Sequence, residues 1–173
     1  MRVTFLFSNP RVWYKKFGNT ILKIAEGVPF GHFSIQLDSL AGSYIYESIF
    51  PRSQKLPLKE WLTHYEPVYY TGWDVPDHMN GKVLEWLESM TGKRYALEQI
   101  LFIAFCICFK WVDILFNTLS INHAKALVCT EYGSRFVERF TTFKLTKSHD
   151  KIGLKYMLYI SKKIESSEVW KNE

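Results

Sequence analysis

The chain has 173 residues, a length that suits one domain with a sizeable hydrophobic core. Its 22 Lys and Arg exceed its 17 Asp and Glu, giving a net charge of +5, yet no arginine-rich block or zinc-finger spacing accompanies this surplus. A nucleic-acid-binding protein is therefore not expected. Three cysteines, an odd number, make no disulfide framework and favour a reducing compartment, so we expect a cytoplasmic protein.

The first half of the sequence predicts strands interrupted by one helix. Residues 2–7 form a short apolar strand, and residues 13–27 have helical spacing that ends at Gly27. The next strand, GHFSIQLD, alternates two phases, the apolar Phe33, Ile35 and Leu37 and the polar His32, Ser34 and Gln36. The loop DSLAGS then leads into YIYESIF, which predicts a β-hairpin.

The second half predicts more helices. LPLKEWLTHY is expected to be a short helix, PVYYTGWDV a strand, and the segment from Asp77 to Gly92 a helix. The segment that begins at Cys129 predicts a helix with one buried face, formed by Tyr132, Phe136, Val137 and Phe140. LKYMLYISKK is expected to close the domain as a strand, and residues 165–173 form a polar tail expected to fray.

The most apolar segment raises the question of a membrane span. Its uninterrupted apolar stretch runs from Ile100 to Phe109, where Lys110 and then Asp113 follow, and a span needs about 20 apolar residues. Similarly, the apolar run at the start of the chain is too short for a signal-peptide core. We therefore expect no transmembrane segment, and a buried or cleft-lining helix over residues 100–119.

Cys129 lies at the predicted start of a helix. Unpaired backbone N–H groups and the helix dipole favour the thiolate there, which is the reactive form of cysteine. The alternative is a buried structural thiol, because free cysteine is among the most buried residue types. Glu131, in the same first turn, is assigned to stabilising the helix dipole.

His32 is the candidate base for this thiol, because it lies on the polar phase of a strand whose other phase is apolar. A histidine held rigidly there can take a proton from a thiol. The alternative is a hydrogen-bonded core histidine. The remaining histidines, His64, His78, His123 and His149, make no metal-ligand spacing with the cysteines, so no metal site is expected.

The order of these motifs resembles a known family. GHFSIQL, YIYESIF, the P-L-x-x-W-L pattern at Pro57, GKRYAL and CTEYGSRF follow one another as in the circularly permuted papain-like cysteine hydrolases of the NlpC superfamily. The chain is most similar to the YiiX-like branch and more distantly to lecithin:retinol acyltransferases. The resemblance covers most of residues 28–140, and His32 precedes Cys129, as the permutation implies.

The resemblance implies roles for individual residues. Cys129 is the nucleophile within a Cys-Ser/Thr-Glu pattern, His32 is the base, and Glu47 orients the histidine. Tyr95, in GKRY, and Thr130 are expected to contact substrate or the oxyanion.

The local pattern disagrees with the resemblance at Glu47. If the apolar faces of the two hairpin strands coincide, Glu47 shares a face with Phe33, and Tyr46 or Ser48 lies beside His32 instead. A shift of one residue in register decides between Glu47, Tyr46 and Ser48.

The expected fold is α+β, a permuted papain-like domain over residues 1–173 with a small antiparallel sheet packed against helices. The expected activity is that of a cysteine hydrolase, a papain-like amidase or peptidase that cleaves an amide bond, for instance in a cell-wall-type peptide. Two alternatives remain open, a lipid ester or amide hydrolase or acyltransferase on the same fold, and a non-catalytic binding module. The substrate is thus peptide or lipid-like, and no metal or organic cofactor is required.

Overall fold

A five-stranded antiparallel sheet forms the centre of the molecule, in the strand order β4-β3-β2-β1-β5. The computed structural model describes residues 1–11, 20, 23, 27–95, 126–127, 129–147, 149, 152–164 and 170–171. The sheet strands are β1 (Arg2–Pro10), β2 (His32–Ser39), β3 (Gly42–Ser48), β4 (Ser53–Pro57) and β5 (Tyr65–Asp74). The predicted α+β class and antiparallel sheet are confirmed.

Four helices accompany the sheet in the described part of the chain. They are α1 (Leu58–His64), α2 (Asn80–Ser89), α3 (Cys129–Phe140) and α4 (Leu154–Ile164), and a 3-10 turn, Asp77–Met79, leads into α2. Two further strands, β6 (Arg94–Tyr95) and β7 (Ala126–Leu127), form a short parallel pair immediately before α3. Neither β4 nor this parallel pair was predicted from the sequence.

One face of the sheet carries the main hydrophobic core. Phe5, Phe33 and Ile35 are completely buried there, and the Phe5 and Phe33 rings meet edge to face with centroids 5.1 Å apart. Helix α3 lies on this face and buries the four side chains that its spacing predicts, Tyr132, Phe136, Val137 and Phe140. The first residue of α3, Cys129, is thereby held against the sheet.

The opposite face of the sheet is also covered. Helix α1 crosses it, and Trp61 and Tyr65 pack with Leu6 and Ile45 in a second, smaller cluster. A strand such as β2 is therefore buried on both sides, although its sequence alternates apolar and polar residues. This covering has a direct effect on the candidate site, because His32 lies on the face beneath α1.

The predicted final strand, LKYMLYISKK, is wrong, because residues Leu154–Ile164 form α4. Leu154, Tyr156, Leu158 and Ile160 alternate along the sequence, which gave the strand prediction. The buried side chains instead recur every three or four residues, as one face of a helix requires: Leu154, Met157, Ile160, Ser161 and Ile164. The apolar residues of this segment fit both the two-residue period of a strand and the 3.6-residue period of a helix. The pattern of burial shows that the helix forms.

Several predictions fall where the structure gives no description. Most of the helix over 13–27 and all of the helix over 100–119 lie outside the described residues, as do Cys106 and Cys108. Most of the predicted tail over 165–173 does too, although Trp170 pairs with Thr141 and contacts the Phe136 ring. Among the helices that are described, none is long and apolar enough to cross a membrane.

Candidate active site

Three elements bring the sequence-predicted residues together at one end of the sheet. Cys129 is the first residue of α3, His32 is the first residue of β2, and Glu47 lies near the end of β3. All three side chains are buried, with exposed fractions of 6% for Cys129, 6% for His32 and 1% for Glu47. The parallel pairing of Tyr95 with Leu127 places β6 next to the strand that leads into Cys129.

His32 connects the other two side chains. Its Nε2 atom lies 2.8 Å from Oε2 of Glu47, and the ring also hydrogen-bonds the side chain of Cys129. Since a carboxylate only accepts hydrogen bonds, Nε2 carries a proton and donates it to Glu47. The contact with Cys129 therefore falls to the other ring nitrogen, Nδ1. A thiol, an imidazole and a carboxylate thus form one continuous hydrogen-bonded chain.

Glu47 is itself fixed by two further donors. The indole Nε1–H of Trp61 donates to Oε2 at 2.9 Å, and the Nε2 amide of Gln54 donates to Oε1 at 2.7 Å. Together with His32, these groups use both oxygens of a carboxylate that has almost no contact with solvent. Such pairing is what a buried charge requires, because an unpaired one is very costly.

Aromatic stacking restricts the imidazole ring as well. The Tyr65 ring stacks on the His32 ring with centroids 4.9 Å apart. The Trp61 ring in turn stacks on the Tyr65 ring with centroids 5.1 Å apart. The histidine is consequently held by Glu47 in the ring plane and by Tyr65 against its face. This is the kind of preorganised orientation that a general base needs.

The strand register explains why Glu47, and not a neighbour, meets His32. Tyr46 pairs with Ile35 across β2 and β3, so Tyr46 lies on the core face and Glu47 on the face of His32. The expectation from local pattern, with Tyr46 or Ser48 beside the histidine, is wrong. It assumed that Ile45 belongs to the main core, whereas Ile45 packs beneath α1 with Trp61.

Interactions with Cys129 and Glu47 raise the pKa of His32. Burial alone would lower it, but the hydrogen bonds with Cys129 and Glu47 and the charges of both outweigh burial and raise the pKa of His32 from 6.5 to about 9. For Glu47 burial acts the other way and would raise the pKa of the carboxyl. Its contacts with His32, Gln54 and Trp61 are stronger and hold that pKa below its usual range. The imidazolium and the carboxylate thus stabilise each other near neutral pH.

The two other predicted site residues are Tyr95, the last residue of β6, and Thr130, which directly follows Cys129. Burial and the charge of Cys129 raise the pKa of the Tyr95 phenol, so this hydroxyl keeps its proton and remains a hydrogen-bond donor near Cys129. Thr130 follows Cys129 in the first turn of α3 and is buried. Glu131 forms an ion pair with Arg135, with Nη2 and Oε1 2.6 Å apart, in addition to its position in the first turn.

Comparison with known proteins does not assign this chain to a family. No protein-family model matches the chain, and no curated protein has a significantly similar sequence. The chemistry of the site therefore follows from its own geometry. Within the described ranges, no group of three or more His, Cys, Asp or Glu side chains is placed to hold a metal ion.

Three residues that support the site were not identified from the sequence, Gln54, Trp61 and Tyr65. Trp61 belongs to the P-L-x-x-W-L pattern that carries part of the resemblance, and this was the available signal. For Tyr65 and Gln54 no such signal exists. Their roles depend on α1 crossing the sheet and on the pairing of Gln54 with Glu47 across β3 and β4.

Proposed function

We propose that this protein is a cysteine hydrolase in which Cys129 is the nucleophile, His32 the general base and acid, and Glu47 the residue that orients the histidine. The observation that carries the proposal is the hydrogen-bonded chain from thiol through imidazole to a buried carboxylate. Cysteine hydrolases use a thiol, a histidine base close to it and a third polar group that orients the histidine, and a carboxylate can fill this last role.

The proposed reaction starts from an ion pair in which the thiol proton of Cys129 already lies on Nδ1 of His32, since the pKa of His32 is raised to about 9. The thiolate then attacks the carbonyl carbon of the substrate, and a tetrahedral adduct with a negatively charged oxygen forms. When the bond to the leaving group breaks, Nδ1–H of His32 gives its proton to that group. Water attacks the resulting thioester with His32 as base, and the acid is released with the thiol restored.

Glu47 stabilises the charged form of the histidine throughout this cycle. Oε2 of Glu47 accepts a hydrogen bond from Nε2–H of His32, with the two heavy atoms 2.8 Å apart. This bond keeps the proton on Nε2 and leaves Nδ1 to exchange a proton with the thiol. The position of Glu47 is itself fixed by Trp61 and Gln54. We assign Trp61 and Gln54 as positioning residues, since they act on His32 only through Glu47.

The oxyanion of the adduct needs hydrogen-bond donors. The backbone N–H of Cys129, at the start of α3, is one donor that helix geometry leaves without an intrahelical partner. The Tyr95 hydroxyl, which keeps its proton near the thiol, is the second donor in the proposal. Loss of one such donor typically costs about 3 to 4 kcal/mol of transition-state stabilisation.

An amide is the preferred substrate bond. An amine leaving group must be protonated before it departs, and a histidine whose pKa is raised to about 9 holds that proton at neutral pH. The family resemblance points the same way, toward a permuted papain-like amidase or peptidase acting on a cell-wall-type peptide. A reducing compartment such as the cytoplasm suits the free thiol of Cys129.

Mass spectrometry of the intact protein tests the proposal. The protein is incubated with cell-wall peptide fragments and, separately, with phospholipids, and an acyl adduct on Cys129 is sought by peptide mapping. We expect an adduct with a peptide substrate, none in Cys129→Ala, and little in His32→Ala. The exposed His78→Ala is the matched control and should behave as the wild type. An adduct with phospholipid alone would favour the lipid hydrolase, and none with either would favour a binding module.

A further inference from the structure

A groove lies between α2 and α3, on the part of α3 that leads away from Cys129. Its volume is about 900 Å³. Arg135 and Arg139 line it from α3, and Lys82 and Trp86 line it from α2. With a rise of about 1.5 Å per residue, Arg139 lies roughly 15 Å along the helix from Cys129. The groove is therefore distinct from the Cys129 site.

The groove concentrates positive charge. Its lining contains two carboxylates, Glu85 and Glu138, and five basic side chains, which are Lys82, Lys93, Arg135, Arg139 and Lys171. Glu131, beside the groove, pairs with Arg135, so the local formal charge is +2, five minus three, compared with +5 for the whole chain. A concave surface with one sign of charge focuses the electrostatic potential and attracts ligands of the opposite sign.

Three of these cations, Lys93, Arg139 and Lys171, have no acidic partner among the described residues. The Lys93 Nζ contacts the Met90 sulfur at 3.1 Å, and the Lys171 Nζ donates to the backbone carbonyl of Glu138 at 2.6 Å. The Arg139 guanidinium lies 5.7 Å from the centre of the Phe140 ring. These contacts orient the three cations without neutralising them. The charge is therefore available to an anionic ligand.

The two acidic residues and the shape of the groove narrow the class of ligand. Glu138 pairs with His149 at 2.7 Å, and Glu85 is exposed on α2. Both would repel the evenly spaced phosphates of a nucleic acid, whereas an acidic peptide can place its carboxylates between them. A concave groove also cannot lie flat on a lipid bilayer. Trp86, which is partly exposed, supplies apolar surface for the backbone and methylenes of a peptide.

We propose that the groove between α2 and α3 binds an acidic peptide segment of a partner protein. Arg139, Lys93 and Lys171 are the anchoring cations, with Arg139 suited to a bidentate contact with a carboxylate. The proposal does not depend on the hydrolase function, because binding at the groove uses none of the residues of the Cys129 site.

Fluorescence anisotropy with a labelled peptide in which glutamate alternates with serine tests the proposal on the full chain. We expect binding at low salt that weakens at about 0.15 M salt, where the Debye length is about 8 Å. The double variant Lys93→Glu/Arg139→Glu should weaken the affinity by about tenfold or more. The matched control is Lys59→Glu/Lys144→Glu, which makes the same change in net charge at exposed positions outside the groove and should bind as the wild type.

Two further measurements complete the test. Cys129→Ala should bind the peptide as tightly as the wild type, so failure of the hydrolase proposal leaves this result unaffected. An oligothymidylate of equal length should bind more weakly than the peptide. The proposal is overturned by absence of peptide binding at low salt, by equal loss in the two double variants, or by tighter binding of the oligothymidylate.

Discussion

The Nε2 atom of His32 lies 2.8 Å from Oε2 of Glu47, although the two residues belong to different strands and are 15 positions apart in the sequence. This contact depends on a hairpin register in which Ile35 faces Tyr46. Two of the groups that fix the pair, Trp61 and Tyr65, come from α1 and the strand after it, and a third, Gln54, comes from β4. The hairpin and α1 therefore form the scaffold of the candidate site.

The first prediction concerns the reactivity of the thiol. A thiol that shares a proton with His32 at a helix N-terminus should be alkylated by iodoacetamide within minutes at a pH of about 6.5. Peptide mapping of the native protein should find Cys129 modified first. The His32→Ala variant should slow this modification, because the group that stabilises the thiolate is lost.

Cys106 and Cys108 serve as internal controls in that experiment. The sequence places them in an apolar run without a neighbouring cation until Lys110, so they are expected to react only after unfolding. Equal and slow reaction of all three cysteines would contradict an activated nucleophile and would leave Cys129 as a structural thiol.

The second prediction concerns pH. Because the pKa of His32 is raised to about 9, the imidazolium should persist through neutral pH and lose its proton as the pH rises through about 9. The rate of the amide reaction should fall over the same range, since the leaving group then finds no proton. An NMR titration of the His32 ring and a pH–rate profile measure the two transitions.

Glu47→Gln should move both transitions to lower pH. The substitution removes the negative charge that raises the pKa of His32 but keeps the shape of the side chain. A pKa of His32 in this variant equal to that of the wild type would show that Glu47 is not the stabilising charge. Near-normal turnover would show that Glu47 does not orient His32 for the reaction.

The third prediction concerns Trp61. Trp61→Phe keeps an aromatic ring against Tyr65 but removes the indole N–H that donates to Glu47 at 2.9 Å. A hydrogen bond to a buried charged group contributes about 1.5 to 3 kcal/mol, so we expect a loss of that size in the free energy of unfolding, together with slower turnover. Urea denaturation and steady-state kinetics measure the two effects.

Trp86→Phe is the matched control for that substitution. It makes the same change of ring in α2, where Trp86 packs against Phe136 and Phe140 and lies outside the Glu47 network. It should cost stability without a specific loss of turnover. If the two variants lose turnover equally, the N–H of Trp61 has no special role.

The fourth prediction concerns the packing of α3 on β2. A Cβ at Gly133 would lie 2.6 Å from Phe33 Cζ and 2.7 Å from Met157 Cε, closer than these atoms can approach. Gly133→Ala should therefore push α3 away from β2, cost about 1 to 3 kcal/mol, and lower turnover by separating Cys129 from His32. Thermal unfolding and the acyl-adduct assay measure both changes.

Gly81→Ala is the control for this substitution. A Cβ at Gly81 meets no atom within 4 Å, and the residue lies in α2, so alanine should raise stability by up to about 1 kcal/mol. A Gly133→Ala protein as stable and active as Gly81→Ala would mean that α3 tolerates the displacement.

The sequence was sufficient to predict the elements with one strong period. The β2–β3 hairpin, α1 and the buried face of α3 are local patterns, and all three are confirmed. Cys129 could be predicted as a site residue because it lies at the start of a helix. His32 could be predicted because it lies on the polar face of a strand whose other face is apolar. These properties belong to single elements and need no knowledge of packing.

The residues that needed tertiary information could not be predicted in this way. The face of Glu47 depends on which side of the sheet α1 covers, and an apolar residue such as Ile45 gives no sign of which core it joins. The family resemblance supplied Glu47 where the alternating pattern failed. The strand prediction for α4 is wrong because its apolar residues fit the periods of both a strand and a helix. Packing against α3 favours the helix, and this contact cannot be predicted from the local sequence.

The short ladder of β6 and β7 has a consequence for how this protein can diversify. Arg94 pairs with Ala126 and Tyr95 with Leu127, so the two ends of the segment 96–125 lie close together. The entropic cost of closing a loop rises only slowly with its length. A change in the number of residues between Tyr95 and Ala126 should therefore add little closure entropy, while the β6–β7 pairing still fixes the strand that leads into Cys129.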